Sequence, residues 1–306
     1  MRIFVTGASG WIGSAVVPEL IDTGHQVLGL ARSDASAHAV AAMGAEVLRG
    51  DLNDTDVLRA GALGSDGVIH LAFVTPSTSE AATRTDAKAI ETFAAALAGS
   101  GRPLVISGAT LVTPGRPATE HDELVAAGPV AARVANMRAA LAAAETGVRT
   151  SLVMLPRSVH GEGERHGFVP QLIATAQAKG VCGYIGDGTS RWPAVHVKDA
   201  ATLYRLAVEQ APAGSVLHAV GDEGVPVSKI AEAIGRHLEL PARSLPAEEF
   251  SGMLVRLLST DMPASSTMTR QLLGWKPTHP GLIEDIEQGH YFQHADQLRH
   301  DNGFPG

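Results

Sequence analysis

The feature that most constrains this chain is TGASGWIG at residues 6–13, which lies directly behind the β-branched run IFV and opens a helical stretch. Gly7, Gly10 and Gly13 are spaced G-x-x-G-x-x-G. A glycine at the first site lets the chain turn sharply out of a strand. One at the second lets the backbone approach a pyrophosphate, and one at the third lets helix and sheet pack closely. The amides of the next helical turn and the positive end of its dipole then attract phosphate. A glycine triplet alone could be a bare turn, but the strand before it and the helix after it make it a dinucleotide cradle.

The same alternation continues along the chain. Strands are expected over 2–6, 25–31, 46–50, 67–72, 103–108 and 149–156, and helices over 12–22, 35–43, 54–62, 80–98 and 130–146. Gly24, Gly44 and Gly147 stand where left-handed C-caps close three of these helices. A helix over 199–210 and the run SVLHAV at 215–220 would extend the sheet at its edge. Segment 157–193 is rich in glycine and charge and predicts loops with one helix near 169–179, and the tail from 221 reads as short helices separated by prolines. The fold class is therefore α/β, a doubly wound parallel sheet with a small, mostly helical C-terminal substrate lobe. Residues 1–156, with 194–220 returning to them, would form the dinucleotide-binding domain, and 157–193 with 221–306 the lobe.

Composition narrows the partners. The 306 residues carry 24 Lys and Arg against 32 Asp and Glu, a net charge of −8, which disfavours nucleic acid. The single cysteine, Cys182, allows no intrachain disulfide, and no apolar run approaches a membrane span. MRIFVTGASG has no signal-peptide pattern, so a cytoplasmic protein with a small-molecule substrate is expected.

This opening resembles the short-chain dehydrogenase/reductase superfamily, in particular its extended branch of NAD-dependent epimerases and dehydratases. GDLND at 50–54, HLAF at 70–73, LPRSVHGEG at 155–163, RWPAVHVKDAA at 191–201 and LGWKP at 273–277 are similar to successive family segments. The resemblance implies a Rossmann-type fold and a homodimer through two long helices. It implies cofactor contacts from Thr6, Gly7, Ser9, Gly10, Trp11, Ile12 and Gly13, from Asp51 at the adenine amino group with Leu52 lining its pocket, and from Leu71, Ala72 and Pro156. It also implies substrate contacts from Phe73, Tyr184, Arg191 and Trp192.

Cofactor choice is read at the end of the second strand, where an acidic residue would bind the ribose of NAD. Here the strand runs into Arg32 and Ser33, which suit the 2′-phosphate of NADP. NADP(H) is thus expected, with NAD(H) as the alternative if Asp34 stands at the strand end.

The superfamily's proton relay, a Y-x-x-x-K pair assisted by a serine, is missing. No tyrosine precedes Tyr184, Ala131 and Ala135 stand near the two helix positions, and Gly108 stands at the serine position. Ser107, Thr110 and His160 are the candidate replacements, His160 because imidazole exchanges protons near neutrality. The competing reading of His160 is a loop histidine; Arg133, on the helix that would carry the tyrosine, could reach the pocket but reads rather as a solvated charge. His160, Glu162, Glu164 and His166 do not match a known metal-ligand frame, and no metal is expected. His196 and Asp199 read as structural, with Asp199 an N-cap. The expected activity is NADP(H)-dependent hydride transfer to a small or medium carbonyl, imine or conjugated substrate. The alternatives are a non-catalytic NADP(H)-binding regulatory or redox-sensing protein, and an epimerase or dehydratase.

Overall fold

The structure, a computed structural model, describes residues 1–73, 80–125 and 131–293. Val130, the expected first residue of the fifth helix, lies outside them, as do residues 294–306 of the expected lobe. The first half alternates strand and helix as β1 (Arg2–Thr6), α1 (Gly13–Asp22), β2 (Gln26–Ala31), α2 (Asp34–Ala42), β3 (Glu46–Arg49), α3 (Thr55–Leu63), β4 (Gly67–His70), α4 (Glu80–Leu97), β5 (Pro103–Ala109), α5 (Ala131–Ala142) and β6 (Arg149–Leu155). Then come β7 (Ser158–His160), α6 (Phe168–Lys179), β8 (Cys182–Tyr184), β9 (Arg191–His196), α7 (Val197–Gln210) and β10 (Ser215–His218). The chain continues through β11 (Asp222–Pro226), α8 (Val227–Leu238), β12 (Ala242–Ser244), α9 (Gly252–Ser259), α10 (Thr267–Leu273) and α11 (Leu282–Glu287).

Seven strands form one parallel sheet in the order β10-β6-β5-β4-β1-β2-β3, the Rossmann arrangement with its crossover between β1 and β4. The period of two decides what each face buries. Along β1, Ile3 and Val5 join α1, α2 and α7 in one core, whereas Phe4 joins α3, α4 and α5 in the other. Along β5, Val105 faces the first core, and Leu104 and Ile106 face the second. Both faces are covered, so the strands read as nearly continuous apolar runs. The expected edge strand is present: Ser215–His218 pairs with β6 in parallel register.

The remainder is mostly helical, as expected, and adds short strands between its helices. A three-stranded sheet, β11-β9-β7, and a pair, β12-β8, lie where loops and short helices are expected. Three of these strands are only three residues long, too short for alternation to register in the sequence. A third core gathers α6, α8, α9 and α11 around Trp192. No helix among the described residues is long and apolar enough to cross a membrane.

Candidate functional site

The turn between β1 and α1 requires its glycines. Gly7 has φ +68°, and a Cβ there would lie 2.7 Å from the Ala72 amide nitrogen. A Cβ on Gly13 would lie 2.1 Å from the Gly7 carbonyl oxygen, and one on Gly10 would lie 3.2 Å from it. The amides of Trp11 and Ile12 have no acceptor among the described residues, so the loop presents open donors ahead of the helix. A cradle that a Cβ would fill, edged by free amides, fits a dinucleotide pyrophosphate. Ser9 is exposed on the loop, and the Trp11 indole donates to Val159 O at 2.8 Å, tying the helix entry to β7. Thr6 corrects its expected cofactor role. Its buried hydroxyl accepts from Ala72 N at 3.2 Å and lies 2.6 Å from His70 Nδ1, so it holds Ala72 against Gly7 from inside.

At the end of β2, the strand closes on Ala31 and the next residue is Arg32, exposed and without an ion-pair partner among the described residues. Ser33 caps α2, its hydroxyl accepting from Ser36 N at 3.2 Å. Asp34 sits one residue later in the first helical turn and is engaged by Arg49 at 2.7 Å. Asp51 folds one carboxylate oxygen onto Asn53, accepting from its backbone at 3.0 Å and its amide group at 2.6 Å. Leu52, Leu71, Ala72 and Phe73 are half-buried near the carboxyl ends of β3 and β4, and Pro156 is buried after β6.

Of the expected proton-relay positions, the serine's is physically closed. A Cβ on Gly108 would meet Met154 Sδ at 2.5 Å and Met137 Sδ at 2.6 Å, so methionine sulfur fills the serine's place. Ala131 is half-buried and Ala135 exposed. Ser107 corrects its expected catalytic role, because period two turns it to the opposite face. There it donates to His70 O at 3.1 Å and lies 2.7 Å from the hydroxyl of Tyr204, a fully buried residue of α7 whose pKa burial pushes up. Thr110 is different: it is buried just beyond β5, and its hydroxyl has no partner.

Arg133 is not solvated. Burial lowers its pKa, and its guanidinium lies 4.5 Å over the Phe73 ring. Beside it, His70 Nε2 approaches Asp86 at 3.2 Å, and Asn136 donates to the other Asp86 oxygen at 2.6 Å and to Thr83 O at 2.9 Å. This network clamps α4 and α5 to the end of β4. Its members lie far apart in sequence and carry no local signal.

His160 corrects the catalytic expectation and its loop alternative together. It is a strand residue with no exposed surface, its Nδ1 2.9 Å from Asp285, its ring edge-on to His196 at 5.5 Å and its Nε2 buried without a partner. Asp285 also takes His290 at 3.0 Å. Burial works against its charge, but the bonds and charge of the two histidines hold its pKa below the ordinary value. Glu164 turns inward too, accepting from the Tyr291 hydroxyl at 2.6 Å, while Glu162 and His166 are exposed. Burial raises the Glu164 pKa to about 8 and lowers that of His196 to about 4. The N-cap of α7 is His196 rather than Asp199, since the His196 ring accepts from Lys198 N. Asp199 instead receives the amides of Thr278 and His279 at 3.0 and 3.1 Å.

The expected substrate residues divide. Trp192 is fully buried and donates to Leu257 O at 3.0 Å, so it is core and not pocket surface. Arg191 gives its backbone amide and its guanidinium to Asp261, at 2.8 Å from the amide and 3.0 and 2.8 Å from Nε and Nη2. Tyr184 is half-buried on β8, its ring against Gly188. Arg157, which directly follows Pro156, carries no motif that marks it in the sequence. Its guanidinium lies 5.7 Å from Trp192 and 5.9 Å from Phe168, and burial, with Arg256 nearby, lowers its pKa to about 10.

Comparisons with known proteins agree with this geometry. The model of the NAD dependent epimerase/dehydratase family matches residues 3–219. The chain is 45% identical over 298 residues to an uncharacterized protein of Schizosaccharomyces pombe, covering 95% of this chain and 100% of that one. It is 30% identical over 237 residues to the 4-hydroxy-2-methyl-3-oxo-4-farnesyl-3,4-dihydroquinoline-1-oxide ketoreductase of Stigmatella aurantiaca, covering 74% of this chain and 70% of that protein. Among solved structures, MoeE5 in complex with UDP-glucuronic acid and NAD is similar, with a TM-score of 0.73 at 22% identity, covering 94% of this chain and 96% of that one.

Proposed function

The chain belongs to the NAD dependent epimerase/dehydratase family, and on that premise we propose that it is an NADP(H)-dependent reductase of a small or medium carbonyl, imine or conjugated substrate. The observation that carries this reading is the glycine turn with its open amides at Trp11 and Ile12. Similarity to a ketoreductase supports the choice of reaction. In this reading residues 1–156 and 194–220 hold the dinucleotide, and 157–193 with 221–306 form the substrate lobe.

Gly7, Ser9, Gly10, Trp11, Ile12 and Gly13 hold the pyrophosphate through backbone amides and the start of α1. Arg32 and Ser33 receive the 2′-phosphate, and Asp34, occupied by Arg49, does not compete for the ribose. Asp51 and Leu52 take the adenine, and Leu71, Ala72 and Pro156 border the nicotinamide end. The bound nicotinamide supplies a hydride to the electrophilic carbon. Thr110 donates a hydrogen bond from its unpartnered hydroxyl to the substrate oxygen or nitrogen, Arg133 contributes positive charge where negative charge develops, and the reduced product takes its proton from water.

A second reading, a dinucleotide-binding regulatory protein without turnover, is favoured by the methionine-filled Gly108 site. NADPH and NADH titrations followed by fluorescence, together with NADPH absorbance against a panel of ketones, imines and enones, separate the two. The expected results are preferential NADPH binding, its affinity lowered about tenfold in Arg32→Ala with NADH unaffected, and consumption of NADPH with at least one panel member. An NADH preference overturns the cofactor assignment. NADPH binding without consumption favours the regulatory reading.

A further inference from the structure

Arg157 is a cation built into a place without an anion. It stands between Pro156, at the end of β6, and the first residue of β7, where ligands of such sheets collect. Its Nε lies 3.0 Å from the Met262 sulfur and its Nη2 points to the same atom. A thioether is a weak acceptor for a group with five N–H donors. The Trp192 and Phe168 rings lie 5.7 and 5.9 Å from the guanidinium, and such ring contacts leave the donors along its edge unsatisfied. None of the described residues brings a carboxylate within ion-pair distance of Arg157, and the nearby charge, on Arg256, has the same sign.

The adjoining strand supplies a contrast. Arg191 opens β9, and both faces of its hydrogen-bonding fork that meet the protein are taken by Asp261. Of these two arginines, Arg191 has its counter-ion within the fold and Arg157 has none among the described residues. A half-buried cation left unmatched is unfavourable unless a ligand or water completes it. The rings and thioether around it offer one guanidinium, which suits a planar singly charged group better than a dianion.

We propose that Arg157 is a specificity-determining residue that receives a carboxylate of the substrate, so that the protein acts on oxo acids in preference to their neutral counterparts. This rests on the reductase reading, and the test separates the two. The probes are straight-chain 2-oxo and 3-oxo acids and their methyl esters. They are assayed for NADPH consumption and, independently of turnover, for the rise in melting temperature they produce in the protein saturated with NADP.

Wild-type protein is expected to favour an acid over its ester by about 10- to 100-fold in kcat/KM, mainly through KM, and to be stabilised by the acid alone. In Arg157→Met, which keeps bulk against Trp192, both the kcat/KM ratio and the stabilisation are expected to vanish. Arg157→Lys is expected to recover part of each, since it keeps the charge without the fork. The proposal is overturned if Arg157→Met keeps the wild-type preference, if esters serve as well as acids, or if no acid stabilises the wild type. Stabilisation that depends on Arg157, with no NADPH consumed, upholds the carboxylate site and removes the reductase reading instead.

Discussion

Thr110 carries a hydroxyl with no surface and no partner at the end of β5, and an unsatisfied buried hydroxyl is unfavourable until something accepts its proton. Thr110→Val preserves the shape and removes that group. It is expected to lower kcat/KM by about 100-fold while leaving NADPH affinity and melting temperature at or above wild type. Steady-state kinetics with a thermal melt check this, and unchanged kinetics would remove Thr110 from the site. Single residues were legible in the sequence only where their roles are local. Gly10 and Gly13 are demanded by contacts within a few residues and Gly7 by its own positive φ as well as by Ala72, whereas Ser107 and Gly108 differ by which face period two gives them. What fills the Gly108 site, Met137 and Met154, comes from α5 and β6. Arg157 carries no local signal, since one cation is ordinary in a sequence and the rings and sulfur around it come from distant segments.

Elements were legible in proportion to their length. The βα repeats of the first half bury whole faces and announce themselves by period, and every strand of the seven-stranded sheet was anticipated to within a few residues. The short strands β7, β8 and β12 were not, because their pairing is decided by partners elsewhere in the chain. β7 illustrates what such an element does. Through His160 it is pinned to Asp285 of α11, a contact across 125 residues. His160→Ala leaves Asp285 buried with His290 and a long bond from the Tyr291 hydroxyl, at 3.4 Å. The expected loss is about 3 kcal/mol of stability, seen as a lower urea midpoint, with turnover per folded molecule little changed. A loss of turnover without a loss of stability would return His160 to a catalytic role.

For the molecule as a whole, two buried groups shape the response to pH. The unfolded chain releases the Glu164 proton as pH passes its ordinary 4.5, but the folded chain keeps it until about 8, so stability drains away across that interval. The loss approaches about 1.4 kcal/mol per pH unit. His196 acts in the opposite sense: the unfolded chain takes up a proton below 6.5, and the folded chain refuses it until about 4, so stability falls on the acid side. The two trends offset one another between pH 5 and 6.5, and the melting temperature is expected to be flat there and to fall from pH 6.5 to 8. Glu164→Gln, which still accepts from Tyr291, is expected to flatten the alkaline fall. Thermal melts at stepped pH test this, and an unaltered slope in the variant would assign the fall to other groups.

The fastening of early segments by late ones has a further consequence for biogenesis. Glu164 and His160 find their partners only at Tyr291 and Asp285, and Asp199 finds its own at Thr278 and His279. On the ribosome, the first six sheet strands emerge by residue 155, long before these partners do. The nascent chain can assemble its nucleotide-binding sheet early, but it carries two buried-to-be carboxylates and a histidine unpaired until translation has passed residue 291. A premature stop between codons 278 and 291 would therefore leave a formed sheet attached to an open lobe, a substrate for quality-control proteases rather than a smaller working protein.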